Sequence, residues 1–209
     1  MNIKTNYSTL RNFKNNLPKY LFNSLYTSNY NTLINQKSNS IGGLRTKNIY
    51  KSSEINKPLF TIITVCLNSE KTIEETILSV LNQTYDNIEY VIIDGGSSDN
   101  TLNIIKKYEN SLDLWISEKD DGIYNAINKA LKVSSGDIIG TLNSGDIYTK
   151  NALALVKKYF KNNINFVFGT VEKKRLLSGF NEKKINWKFN IYPAHSSGFF
   201  ISRFAQECV

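Results

Sequence analysis

The chain has 209 residues, with 26 Lys/Arg against 18 Asp/Glu, one histidine and two cysteines. That length fits one domain of ordinary size plus an appendage. Composition excludes a disulfide scaffold and a multi-histidine metal site, and no run approaches the roughly 18 apolar residues of a membrane-spanning helix.

Residues 1–57 are rich in Asn, Ser, Lys and Tyr and carry nine Lys/Arg against one acid, Glu54, for a net +8. Residues 58–209 carry 17 basic and 17 acidic residues, so the whole net charge sits in the leader. The sequence therefore divides into a basic, Asn-rich extension and linker over 1–57 and a folded domain over 58–209, with Pro58 at the boundary. Met1 to Ser8 is polar and lacks a signal-peptide core. Leu17 to Tyr26 reads as a short amphipathic helix with Pro18 near its start. With apolar residues set among the basic residues of the leader, residues 1–57 are a candidate for peripheral contact with an anionic membrane or acidic partner. A neutral domain argues against nucleic acid as a partner. Cys66 and Cys208 have no metal-ligand spacing and fit a reducing cytosol.

From Pro58 the pattern alternates strand and helix. Phe60 to Val65 is a β-branched apolar run of the kind that forms a buried strand. Ser69 or Thr72 opens a helix with Glu74 and Glu75 in its first turn and Ile73, Ile77, Val80 and Leu81 on one face. Ile88 to Asp94 is the second strand. Asp99 caps a helix with Leu102, Ile105 and Tyr108 on one face, and Leu112 to Ser117 is the third strand. Asp120-Asp121-Gly122 leads into a helix marked by Ile123, Ala126, Ile127, Ala130 and Leu131. A strand over Asp137 to Leu142 follows. Then comes a helix with Ala152, Leu155, Val156 and Tyr159, and a short strand over Phe166 to Phe168. Strand-helix units of this length predict an α/β fold, with a mainly parallel sheet covered by helices on both faces.

Two of these strands end in carboxylates. Asp94 precedes Gly95-Gly96-Ser97-Ser98-Asp99, and the Asp137 to Leu142 strand runs into Asn143-Ser144-Gly145-Asp146. The C-terminal edge of a parallel sheet is where ligands bind. One acid before a glycine turn and one after a polar loop suit a nucleoside diphosphate and a hard divalent ion, Mg²⁺ or Mn²⁺. Asp146 is the candidate metal ligand. Asn143, Ser144 and the Gly145 backbone are candidates for the ribose or an ordered water. Asp94, with no histidine or thiolate near it in sequence, suits the nucleoside, and Gly95 and Gly96 let backbone approach a ligand closely. Asp120 or Asp121, just ahead of the next helix, is a candidate to face the sugar or the phosphates of such a ligand. Read alone, Cys66 is a small buried hydrophobe. A dinucleotide-binding oxidoreductase is excluded because Cys66-Leu67-Asn68-Ser69-Glu70, not a Gly-x-Gly-x-x-Gly loop, follows the first strand. A sugar nucleotidyltransferase is disfavoured too, because its glycine- and arginine-rich loop is missing from this chain at the same place.

Five blocks in order resemble a family-2 glycosyltransferase of the GT-A fold, of the type that builds bacterial surface polysaccharides. They are Thr61 to Asn68, Ser79 to Tyr85, Ile92 to Asp99, Ser117 to Lys129 and Gly140 to Asp146. The resemblance implies a nucleotide-sugar donor, a divalent metal, inversion at the anomeric carbon and a glycan or lipid-linked acceptor. It also implies a place in the cytoplasm, at the inner face of the membrane. It assigns Thr64, Cys66, Asn68, Asp94, Gly96, Ser97, Asp120, Asn143, Ser144 and Gly145 to the nucleotide sugar and Asp146 to the metal. Three departures stand out. Relatives often carry two acids where Asp94-Gly95 stands. Their metal motif holds more acids than Asn143 to Asp146. Their general base lies well beyond the region resembling His195 to Phe200, and here only nine residues follow Phe200. The expectation is thus a donor-binding portion short of the base and much of the acceptor site, with His195 and Asp121 as candidates for proton transfer. The alternative is a nucleotide-sugar-binding module of weak or no catalytic activity.

Overall fold

The computed structural model describes residues 40–160, 164–173, 175–177 and 196–207. Its main sheet has seven strands in the order β1-β4-β3-β2-β5-β9-β6. These are β1 (Ser40–Gly42), β2 (Phe60–Cys66), β3 (Ile88–Asp94), β4 (Leu114–Ser117), β5 (Ile138–Thr141), β6 (Phe166–Phe168) and β9 (Phe199–Ser202). Between β6 and β9 in sequence, β7 (Val171–Lys173) and β8 (Arg175–Leu177) form a separate antiparallel pair. The central strands β4, β3, β2 and β5 run parallel; β1 and β9 run against them, and β6, antiparallel to β9, runs with them.

Helices cover both faces, as the strand-helix alternation predicts. One face carries α1 (Ile73–Leu81), α2 (Thr101–Lys107) and α4 (Ala152–Tyr159). Ile73, Ile77, Ile105 and Leu153 from these helices join Phe60, Ile62, Tyr90 and Ile92 in one core. The opposite face carries α3 (Ile123–Val133), whose Ala126, Ala130 and Val133 pack on Ile63, Val65, Val91 and Ile93. Successive residues of β2 and β3 feed alternate cores, the period-2 rule of a strand. A last helix, α5 (Arg203–Glu207), follows β9. No helix among the described residues is long and apolar enough to cross a membrane.

The order of connection sets the site. The chain moves from β2 to β3 to β4 through α1 and α2 on one face. It then returns through α3 on the other face to place β5 against the free side of β2. The direction of winding thus reverses between β2 and β5. A crevice opens at the carboxyl ends of strands at such a point.

Three elements differ from the sequence expectation. Residues 40–57, read as linker, belong to the fold. Strand β1 pairs with β4, and Leu44 and Arg45 donate backbone hydrogen bonds to Leu112 and Asp113 at 2.9 and 3.0 Å. The Arg45 guanidinium is buried against the Glu89 carboxylate, the Val133 carbonyl and Ser135 Oγ. Lys51 Nζ donates to Asp113 Oδ2 and to the Ile88 carbonyl, each at 2.6 Å. Single-residue composition cannot reveal such contacts, because the partners lie 37 to 90 positions away. The second difference is α4, which buries Leu153 and Val156, whereas Leu155 and Tyr159 are exposed. Both the 152/155/156/159 and the 153/156/160 sets fit a helical stripe. The third is β9, inserted between β5 and β6. Gly140 makes room for it, since a β-carbon there would lie 2.6 Å from the Phe200 ring.

Candidate functional site

Both polar loops dock on the end of β2, one from each side. From β3, Gly95 N donates to the Cys66 carbonyl at 2.9 Å. From β5, Leu142 N donates to the Ile63 carbonyl at 2.8 Å and Ser144 N to the Val65 carbonyl at 3.3 Å. The Asp94 loop and the Asn143–Asp146 loop therefore flank one strand end at the reversal point of the sheet.

The Asp94 carboxylate is fully buried. It accepts from Ser97 N at 3.1 Å, from Ser117 Oγ at 2.6 Å and from the Ser97 hydroxyl. Register places Ser117 on β4 directly beside Asp94, a partner that sequence alone did not single out. Ser97 Oγ also accepts from Asn68 N at 2.8 Å, and Asn68 Oδ1 accepts from Ser98 N at 2.9 Å. Gly96 has φ +82°, and a β-carbon there would lie 3.1 Å from Lys119 N, so the loop after β3 packs closely on the loop after β4. Asp99 joins the same framework, accepting from Thr101 N and Glu70 N at 3.0 Å each. Asp94, Ser97 and Asn68 thus shape this loop through bonds among themselves.

Cys66 is buried with its thiol 3.7 Å from Asp94 Oδ1. Burial, followed by the charges of Asp94, Asp99 and Asp120, pushes that thiol far up from its ordinary range. It is a packed thiol, not a nucleophile. Thr64 is brought into the core, not to the edge: it is fully buried and its hydroxyl lies 3.0 Å from Tyr90 Oη. Its side chain is closed off by the helix-covered face to which its strand parity assigns it.

The Asn143–Asp146 loop is held from two directions. Gly145 N donates to Thr76 Oγ1 at 3.0 Å, Thr76 Oγ1 donates to the Asp146 carbonyl at 2.9 Å, and Ser144 Oγ lies 3.1 Å from Thr72 Oγ1. Thr72 and Thr76 stand one turn apart at the start of α1, so that helix positions the loop. On the other side Ser197 Oγ donates to Asp146 Oδ2, and Asn143 Nδ2 donates to Ser196 Oγ at 3.3 Å. Gly145 takes φ +96°, a conformation that favours glycine. Asp146 is half-buried, and no group of three His, Cys, Asp or Glu side chains able to hold a metal occurs among the described residues. The donor set at this loop is one carboxylate with hydroxyls. It fits a hard cation that draws most of its ligands from phosphate and water, and not a closed protein cage.

Asp120 and Asp121 lie in the loop from β4 to α3. Asp120 Oδ1 accepts from Gly122 N at 2.9 Å, and Asp121 is exposed. His195 lies outside the described residues.

This is the arrangement of a GT-A domain, a parallel sheet whose carboxyl edge carries two polar loops. The chain belongs to the glycosyl transferase family 2, which it matches over residues 61–206. It is 40% identical over 116 residues to the Escherichia coli UDP-Glc:alpha-D-GlcNAc-diphosphoundecaprenol beta-1,3-glucosyltransferase WfgD, covering 54% of this chain and 46% of that protein. It is 35% identical over 100 residues to the putative teichuronic acid biosynthesis glycosyltransferase TuaG of Bacillus subtilis, covering 46% of this chain and 40% of that one. The chain thus spans less than half the length of each. Among solved structures, the Pyrobaculum calidifontis mannosyltransferase PcManGT, in complex with GDP-Man and Mn²⁺, shares the fold. Its TM-score is 0.58 at 17% identity, over 88% of this chain and 52% of that one. Residues 1–349 of S. aureus TarS share it with a TM-score of 0.56 at 22% identity, over 69% of this chain and 47% of that one.

Proposed function

We propose that this chain binds a nucleotide-diphosphate sugar with a divalent ion and transfers the sugar, with inversion, to a glycan or lipid-linked acceptor in surface-polysaccharide synthesis. The observation that carries the reading is the docking of the Asp94 and Asn143–Asp146 loops on the two sides of the β2 terminus, at the reversal point of the sheet. A nucleoside diphosphate laid across that terminus has its nucleoside toward the β3 and β4 loops and its diphosphate toward Asp146. Asp146 would hold Mg²⁺ or Mn²⁺ together with the diphosphate. Such an ion neutralises the charge that grows on the leaving phosphate as the sugar departs. Ser197 orients the Asp146 carboxylate, and Thr72 and Thr76 fix the loop that carries it. Asn143 and Ser144 stand beside this acid, within reach of ribose or a metal-bound water.

Family membership and the likeness to WfgD support a sugar-nucleotide donor and an acceptor on a polyprenyl diphosphate. We place the reaction in the cytoplasm, at the inner face of the membrane, where such an acceptor meets a water-soluble donor. Asp121 and His195 are the candidates for the proton-accepting base.

The test is turnover of labelled nucleotide sugars by the full chain, with hydrolysis and transfer to a lipid-diphosphate sugar measured separately. The reading predicts Mn²⁺- or Mg²⁺-dependent release of nucleoside diphosphate from at least one donor. No release from any of the UDP- and GDP-sugars, with either ion, would overturn it.

A further inference from the structure

Past the reversal point the sheet ends in an apolar row. Strands β9 and β6 extend it beyond β5, with Phe199 opposite Phe168 and Ile201 opposite Phe166. Alternation divides their side chains between the two faces. Val167 and Phe200 join the core shared with α1 and α4. Phe166, Phe168, Phe199 and Ile201 lie on the opposite face, the one that α3 covers over β2 and β3. The Phe199 ring contacts both others, with centroids 5.9 Å from Phe166 and 5.2 Å from Phe168. Ile164 continues the row, because Ser202 N still donates to the Asn165 carbonyl at 2.9 Å and keeps the chain paired there. Yet Ile164, Phe166 and Phe168 stay 44%, 48% and 41% exposed among the described residues. Contiguous apolar surface of this kind marks a contact site.

One end of the row adjoins the candidate site. Ser196, Ser197 and Gly198 lead directly into Phe199. Ser197 Oγ donates to Asp146 Oδ2, and Thr141 Oγ1 donates to the Ser196 carbonyl at 3.3 Å. Gly169 N donates to the Gly198 carbonyl at 2.7 Å and ties the end of β6 to the same turn. The row therefore begins beside the Asp146 loop. It runs down the sheet for about 13 Å from Phe168 to Ile164, at the rise of an extended strand.

We propose that this row seats the apolar chain of a lipid-diphosphate acceptor, with the isoprene units nearest the diphosphate lying on Phe168, Phe199 and Phe166. The proposal rests on the glycosyltransferase reading above. In that reading the acceptor hydroxyl meets the donor sugar beside Asp146, and the rest of the acceptor has to leave the site. A path that starts there and is lined by hydrocarbon suits a hydrocarbon chain. The five side chains of the row hold no hydrogen-bonding group, so a sugar or a peptide laid on them would lose water from its polar groups without replacement. An isoprenoid has no such groups. Its branched chain packs on aromatic rings through buried area and dispersion.

The experiment is a calorimetric titration of the full chain, saturated with Mn²⁺ and the tightest of UDP, GDP, CDP and ADP, with farnesyl diphosphate and with inorganic pyrophosphate. The ratio of the two affinities isolates the hydrocarbon. The wild type is expected to bind farnesyl diphosphate about tenfold or more tightly than pyrophosphate, the yield of burying roughly two methylene groups. Phe166→Gln combined with Phe168→Gln is expected to bring that ratio within about threefold. Both positions are half-exposed, so nucleotide affinity and melting temperature should stay at their wild-type values. Tyr159→Gln, at an exposed aromatic on α4 across the sheet, is the control and should keep the wild-type ratio. A wild-type ratio near one, an unchanged ratio in the double variant, or an equal fall in Tyr159→Gln would overturn the proposal. A changed oligomeric state in the double variant would also overturn it, by making the row a contact between copies. A lowered melting temperature would do so by making the row a seat for other residues of this chain. Loss of binding to anionic vesicles at an unchanged ratio would give the row to the membrane surface instead. Failure of the wild type to bind any of the four nucleotides would overturn the donor-site reading itself.

Discussion

At the scale of single residues, we propose that one carboxylate builds the site and another is offered to ligand. Asp94 ends a strand and Asp146 closes the polar loop after one, and sequence alone gives them similar weight. The structure separates them by burial. Asp94 is sealed and hydrogen-bonded from Ser97 and Ser117, whereas Asp146 is half-buried and accepts from Ser197 Oγ on its Oδ2. Cys66 shows the same divide. Its thiol lies among Asp94, Asp99 and Asp120 and is held protonated by burial first and those charges second. Thiolate is the reactive species. Iodoacetamide at neutral pH should therefore label Cys66 far more slowly in the folded chain than in urea, as read by peptide mapping. Labelling at the same rate in both states would refute the packed-thiol assignment.

At the scale of elements, the parallel strands and their helices follow directly from pattern. Ile88 to Asp94 has the strand bounds expected, and Ile73, Ile77, Val80 and Leu81 form the buried stripe of α1. The legible elements are those whose period is local. The buried ion pairs of residues 45–51 and the strand β9 depend on partners far along the chain, and no window of sequence contains both halves. Much the same holds for the site: its two acids are visible as strand ends, but Ser117, Thr72, Thr76 and Ser197 enter only through register and docking. The Arg45–Glu89 pair makes an electrostatic prediction. Burial opposes the charged form of Glu89, but Arg45 and the Ser135 and Thr61 hydrogen bonds overcome it, so its carboxyl is held below the usual range in the folded chain. A depressed folded pKa means that the unfolded chain binds the proton more readily. This contribution is present above the ordinary glutamate range and is lost as pH falls through the folded value. Asp113 runs the other way, because burial pushes its carboxyl up despite Lys51. Thermal melts between about pH 7 and pH 3 should thus show a drop at the acid end that is smaller in Glu89→Gln. An equal drop in both would remove Glu89 as its source. Arg45→Ala, which leaves Glu89 buried without its partner, should cost about 3–5 kcal/mol.

At the scale of the whole molecule, the boundary of the folded unit and the placement of charge are linked. Arg45, Lys47, Lys51 and Lys57 lie among the described residues, which leaves five Lys/Arg and no acid in residues 1–39. Deletion of residues 1–39 should leave a cooperative melt, whereas deletion of residues 1–57 should abolish it, because it removes β1, Arg45 and Lys51 together. Equal melts from the two deletions would refute the integral role of residues 40–57. The same 40–209 chain serves the membrane proposal: it should sediment less with anionic vesicles than the full chain, and equal sedimentation would end that proposal. We propose, more narrowly, that a nucleoside diphosphate and a divalent ion share the β2 terminus through Asp146. The most direct measurement is nucleotide titration of the wild type and Asp146→Ala, each with Mn²⁺ and with chelator. Mn²⁺-dependent binding is expected in the wild type and its loss in Asp146→Ala, with a stability change within about 1 kcal/mol, the scale of one lost hydrogen bond. Equal Mn²⁺-dependent affinity in the two proteins would contradict it.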